Sequence, residues 1–199
     1  MPAIEFFYDF TSPYSYLAAT QIENVAARAG VSFAPKPFVL GAVFKAVGNQ
    51  GPASYPAKAA YSLKDVAAWS ELYGIPFTFP DAFPINAMKA HRLVLAVADE
   101  AAAWKLSLRI YRAYWGEGQD ITNVQLLADL ATESGLDAPA LLARTEQQDI
   151  KDRLRANTDS AIERGAFGAP TFFVGDQMFL GNDRLMFVER AARGEQVYR

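Results

Sequence analysis

Cysteine is absent from all 199 residues, and His91 is the only histidine. No disulfide, dithiol redox centre or ordinary Cys/His metal site can be assembled from such a chain, so no metal is expected. A basic excess is also missing. Against 19 Lys and Arg stand 22 Asp and Glu, and the net charge of −3 argues against a nucleic-acid partner or a polybasic membrane anchor. No apolar run reaches the ~18 residues of a spanning helix. The first 20 residues carry Glu5 and Asp9 but no basic segment, so no export signal is read and the cytoplasm is the expected location. Gly-x-Ser-x-Gly, Gly-x-Gly-x-x-Gly and P-loop patterns are lacking as well, which removes the usual hydrolase elbow and nucleotide cradles.

What is present is a globular composition, 51% hydrophobic and 21% charged, in a chain long enough to bury one core with an inserted subdomain. Ile4 to Phe10 is a nearly continuous apolar and aromatic run, the pattern of a strand covered on both faces. Ser12 then suits an N-cap and Pro13 the first helical position. Leu17, Ala18, Ile22, Val25, Ala26 and Ala29 recur at helical spacing as far as Gly30. Val31 to Leu40 reads as a second strand, placed near an edge by Pro35 and Pro37, and the β-α-β connection makes it parallel to the first. A glycine-rich loop follows at residues 48 to 54.

Helical patterns dominate from there to about residue 165: Lys58 to Tyr73 before Gly74, Asn86 to Ala98, Ala101 to Trp115, Asn123 to Ser134, Ala138 to Arg144, and Thr145 to Arg164. Strands return at Pro170 to Val174 and Gln177 to Leu180, joined by the hairpin signal Gly175-Asp176. Asn182-Asp183 is expected to cap a last helix from Arg184 to Arg193. The fold class is α/β, resembling a thioredoxin-like core (β-α-β and β-β-α halves) with an all-helical insertion. Residues 1–47 and 165–199 are assigned to the core and 48–164 to the inserted helical domain.

Ser12-Pro13-Tyr14-Ser15 lies where thioredoxin-like redox proteins carry Cys-x-x-Cys, and Pro170 lies where they place a cis-proline facing the first helix. A Ser12 hydroxyl at a helix N-terminus favours an incoming thiolate, although the same residue also reads as a plain N-cap. With no sulfur of its own, the site must borrow one. Asn182-Asp183 admits a second role beside capping. Backbone N–H groups there suit a carboxylate and Asp183 suits an ammonium, the two ends of a γ-glutamyl group. Asn49 and Ser54 lie in the connection after the second strand, on the side of a β-α-β unit where ligands sit, and Lys58 follows them. Phe44, Tyr61, Trp69, Phe83 and Trp115 either line an apolar pocket for an aromatic substrate or simply pack the core. His91, alone on its helix, reads as a packing residue.

The blocks Phe7 to Leu17, Gly48 to Pro52, Leu72 to Pro76, Tyr114 to Gly118, Gly165 to Thr171 and Gly181 to Arg184 resemble those of 2-hydroxychromene-2-carboxylate isomerases, in order and spacing over essentially the whole chain. That family is related to kappa-class glutathione transferases and DsbA-like proteins. The resemblance implies glutathione as the borrowed thiol, held at its sulfur by Ser12, along the tripeptide by the backbone of Ala169 before a cis-Pro170, and at the γ-glutamyl end by Gly181, Asn182 and Asp183. Asn49, Ala53, Ser54 and Lys58 would border the glutathione and substrate side of the cleft, and among the aromatics Phe44 and Trp115 are the candidates read from the residues for contact with the substrate. It further implies interconversion of 2-hydroxychromene-2-carboxylate and trans-o-hydroxybenzylidenepyruvate, a step of naphthalene-type degradation, in a homodimer. Trp115-Gly116-Glu117-Gly118 leans toward the isomerase. A kappa-type transferase or peroxidase, and a non-catalytic glutathione-binding module, are the alternatives.

Overall fold

A computed structural model describes residues 4–198 of the chain. Four strands form one sheet in the order β2-β1-β3-β4, where β1 is Ile4–Tyr8, β2 Phe33–Pro37, β3 Thr171–Val174 and β4 Gln177–Leu180. β1 pairs parallel with β2 and antiparallel with β3, and β3 and β4 make the expected hairpin. β2 is an edge strand, as its two prolines require, since each removes a ladder donor.

Alternation along β1 divides its side chains between two cores. Ile4, Phe6 and Tyr8 join the larger core, with Phe6 stacked on Phe172 at 5.0 Å between ring centroids. Phe7 points the other way, into a smaller cluster with Phe38, Val43, Ala161 and Phe173. The first face is covered by α1 (Pro13–Ala19), α2 (Ile22–Ala29), α6 (Glu100–Tyr111) and α10 (Leu185–Ala192). The second is covered by α3 (Leu40–Val47) and α9 (Gln148–Glu163). Both faces are therefore covered except at Glu5, which is partly exposed and paired with Lys36 and Arg164, and this is why β1 reads as a nearly continuous apolar run. Between α3 and α9 come α4 (Pro56–Tyr73), α5 (Met88–Ala96), α7 (Val124–Glu133) and α8 (Ala138–Arg144), with α6 between α5 and α7. The expected order of strand, helix, strand, helical block, then helix, hairpin and helix is the observed order.

Several boundaries differ from the sequence reading. β1 ends at Tyr8, because the chain turns at Asp9 to satisfy a buried carboxylate. The first helix is two helices, broken where the Thr20 hydroxyl donates to Leu17 O at 2.7 Å. Leu40–Val47 is helical, whereas the second strand was expected to reach Leu40 and the following residues were unassigned. Asn182 and Asp183 do not cap the last helix. They form a 3-10 turn with Arg184, and α10 begins at Leu185 without a side-chain cap.

Candidate functional site

Ser12 caps α1 from an extended backbone conformation, its Oγ accepting the Ser15 N–H at 3.2 Å, with Pro13 in the first helical turn. The same hydroxyl donates to Ala169 O at 3.1 Å, across the cis Ala169–Pro170 peptide. Ser12 is only 4% exposed. Two segments 157 residues apart in sequence are thus joined by one hydroxyl. Pro170 O in turn accepts the Gly181 N–H at 3.0 Å, so the turn at Asn182 is tied to the same loop.

Gly181 has φ +100°, and a Cβ there would lie 2.5 Å from Asp183 Oδ1, which excludes any side chain without displacement of that carboxylate. Asn182 is buried, and among the described residues its Nδ2 has no partner in good hydrogen-bond geometry, although Tyr73 lies close enough to interact with it. Asp183 is exposed, 3.5 Å from the Arg184 guanidinium. The Tyr73 hydroxyl, raised by burial and influenced by Asn182 and Asp183, completes this corner.

The segment after α3 has its own internal order. Asn49 Oδ1 accepts the Gly51 N–H at 2.9 Å, and Ser54 Oγ donates to Gln50 O at 2.8 Å. A Cβ on Gly51 would meet the half-buried Phe44 ring at 2.7 Å. Lys58 Nζ lies 4.6 Å from the Tyr55 ring centroid. Among the described residues no hydrogen bond joins this segment to Ser12 or Asn182. The side chain of Ala53, expected beside the substrate, lies outside the described residues. α4 is held to α1 by the Tyr14 hydroxyl, pushed up to about 12 by burial, which donates to Asp65 Oδ2 at 2.9 Å.

Trp115 offered two readings, lining a substrate pocket or packing the core, and in this structure it is 0% exposed. Its indole N–H donates to Phe10 O at 2.8 Å and its ring packs among Phe77, Phe79, Phe83 and Tyr114. It sits in a π-helical turn, Arg112–Gly116, that follows α6. The indole thereby supports the backbone leading into Ser12.

That support has partners which sequence reasoning missed. The Tyr111 hydroxyl donates to Asp9 O at 3.0 Å, and the Phe10 N–H donates to His91 Nε2 at 3.2 Å. Buried Asp9 accepts from Thr11 N–H and Thr11 Oγ1 at 2.8 Å each, and from Leu40 N–H at 2.7 Å. His91 Nε2 also lies 3.4 Å from Asp9 Oδ1, which brings the imidazole against both the Phe10 backbone and the buried carboxylate. The only available signal was that Asp9 is one of two acids, with Glu5, inside a mostly apolar run, in a chain with a single histidine.

Burial pushes the Asp9 carboxyl up, but His91 and the Leu40 and Thr11 N–H groups outweigh it and hold it below its ordinary value. A depressed folded-state value stabilises the fold above the unfolded value of about 3.9, and that stability is lost as pH falls through the folded value. Asp9→Asn is therefore expected to cost roughly 1–3 kcal/mol at neutral pH, where the native carboxylate is ionised. Urea unfolding at pH 7 and near pH 3 should show the gap to wild type narrowing in acid; parallel losses would remove Asp9 from the account.

Comparison with known proteins places these features in a lineage. The model of the DSBA-like thioredoxin domain matches residues 3–193. A 2-hydroxychromene-2-carboxylate isomerase of Sphingobium xenophagum is 35% identical over 188 residues, 94% of this chain and 95% of that protein. Glutathione S-transferase kappa 1 of Rattus norvegicus is 30% identical, covering 92% of this chain and 87% of its own. A solved structure of a 2-hydroxychromene-2-carboxylate isomerase superposes with a TM-score of 0.87 at 34% identity, covering 95% of this chain and 93% of that one.

Proposed function

Because the chain belongs to the DsbA-like thioredoxin family, among the 2-hydroxychromene-2-carboxylate isomerases and their kappa-class glutathione transferase relatives, we propose that it is a glutathione-dependent isomerase. Its reaction is the interconversion of 2-hydroxychromene-2-carboxylate and trans-o-hydroxybenzylidenepyruvate, in the breakdown of naphthalene-type aromatics. The observation that carries this reading is the Ser12 hydroxyl, set between the first turn of α1 and the Ala169–Pro170 loop of a chain without cysteine.

The residues present fit the tripeptide. The buried Asn182 Nδ2 lacks an acceptor in good hydrogen-bond geometry, which a carboxylate would supply, and exposed Asp183 is an acceptor for an ammonium. Gly181 keeps the corner open. Ala169 and Pro170 would run along the tripeptide backbone, while Asn49, Ser54 and Lys58 would border the cleft and Phe44 would face the aromatic ring. Glutathione, when bound, supplies the sulfur nucleophile that adds to the conjugated system and later leaves it, making rotation about the former double bond possible.

Ser12 acts as a hydrogen-bond donor to negative sulfur and is not the attacking group. Its hydroxyl hydrogen, directed at Ala169 O, turns toward the thiolate by rotation about a single C–O bond. Tyr111, His91 and Trp115 hold the Asp9–Phe10 backbone that leads into Ser12, so the only adjustment the donor needs is rotation of its hydroxyl hydrogen. A cytoplasmic homodimer belongs to the same proposal. Tyr61 and Leu72 on α4, 69% and 72% exposed, are apolar surface that a second copy would cover.

Assay of both isomers with and without glutathione tests the reading. Isomerisation should appear only with glutathione. Conjugation of a generic electrophile without isomerisation would instead favour the transferase reading, for which the kappa-class relatives speak. Glutathione binding with neither activity would leave a binding module.

A further inference from the structure

A surface cavity of about 390 Å³ lies between α3, α5 and α9, apart from the residues assigned to glutathione. Its floor is apolar: Val39, Met88 and Leu154 edge a small third core that the surrounding helices leave partly uncovered. Arg92 and Arg155 line the same cavity. Neither makes an ion pair among the described residues, and the Nε of Arg92 is buried with no acceptor. Lys151, also at the rim, is drawn to Glu146 at 3.4 Å. Asp159 is the one acid in the lining.

Buried guanidinium N–H groups are rarely left unpaired, because the lost hydration is not recovered. One molecule with an apolar body and an anionic end would cover that floor and give the guanidinium groups of Arg92 and Arg155 an acceptor. The volume lies within the range of small-molecule sites. We propose that this cavity is a second ligand site, taking an amphiphilic carboxylate with a flat apolar body laid on Val39, Met88 and Leu154 and its carboxylate on Arg92 and Arg155. The proposal stands on the cavity itself and does not require glutathione at Ser12.

Methionine is scarce enough to report on the site directly, with four in the chain and Met88 on the cavity floor. The full-length protein labelled with 13C-methyl methionine would be titrated with trans-cinnamate and, separately, with cinnamyl alcohol, which has the same body and no charge. The Met88 resonance would be assigned through Met88→Leu. Cinnamate should shift it saturably and the alcohol should bind at least tenfold more weakly. Arg92→Gln should weaken cinnamate binding about tenfold or more, the value of a charge-assisted hydrogen bond. Exposed Arg155→Gln, which does not disturb buried packing, should weaken it several-fold. Ser12→Ala should leave the titration unchanged, which separates this site from the thiol site. A still Met88 resonance, equal binding of acid and alcohol, wild-type affinity in Arg155→Gln, or loss of the shift in Ser12→Ala would overturn the proposal.

Discussion

Ser12→Ala is expected to lower kcat for glutathione-dependent isomerisation about a hundredfold or more. A preorganised donor facing developing or transferred negative charge typically contributes about 2.7–4 kcal/mol. The same substitution removes two contacts of the resting protein, the Ser15 cap and the bond to Ala169 O. Their loss should cost about 1 kcal/mol of stability, a drop of roughly 2–4 °C in a chain of this size. Such a drop leaves the protein folded at assay temperature, so the rate can be read separately from stability. KM for glutathione should change far less than kcat, because Asn182, Asp183 and the Ala169–Pro170 loop remain. A variant with kcat within twofold of wild type would remove Ser12 from the chemistry.

Trp115→Ala should give the largest loss of stability of any substitution near the site. The ring is wholly buried among four aromatic neighbours, and deleting a buried Trp typically costs about 3–5 kcal/mol. Thermal unfolding should fall by roughly 6–20 °C. Trp115→Phe isolates the second function of the side chain. It retains most of the packing but leaves Phe10 O without the indole N–H. Its loss should be smaller in thermal unfolding yet still visible in kcat, because the Phe10 backbone leads into Ser12. If Trp115→Phe matched wild type in both, the indole bond would be incidental to the site.

The fold was legible where pattern and punctuation agreed. The aromatic run of β1, the prolines of β2, the Gly175-Asp176 hairpin and glycines such as Gly74 at helix ends all carry their structural cause in the residue itself. The misses share a different origin. Leu40–Val47 is apolar with Gly41 inside it, and only its packing with α9 decides for helix over strand. The break at Thr20 has no glycine or proline to announce it, because it arises from a side chain competing for a main-chain carbonyl.

At the site, Ser12 and Pro170 carried a sequence signal, and the structure joins their loops through Ala169 O. Trp115 is buried behind the Ser12 loop, and sequence alone left its two readings open because it cannot distinguish an aromatic that faces a ligand from one that props up the wall behind it. Asp9 was missed for a related reason. Its function depends on N–H groups from Thr11 and Leu40, and no local pattern reports that a distant turn will supply one of them.

On the proposed function, Ser12 stabilises a thiolate this chain does not itself possess. Ultraviolet titration of thiolate absorbance in the glutathione complex, for wild type and Ser12→Ala, measures it directly. The account requires the bound thiol of the wild type to titrate below the ordinary value of about 8.5, and Ser12→Ala to move it back toward that value. Identical titrations in the two proteins, at or above the value for free glutathione, would contradict it.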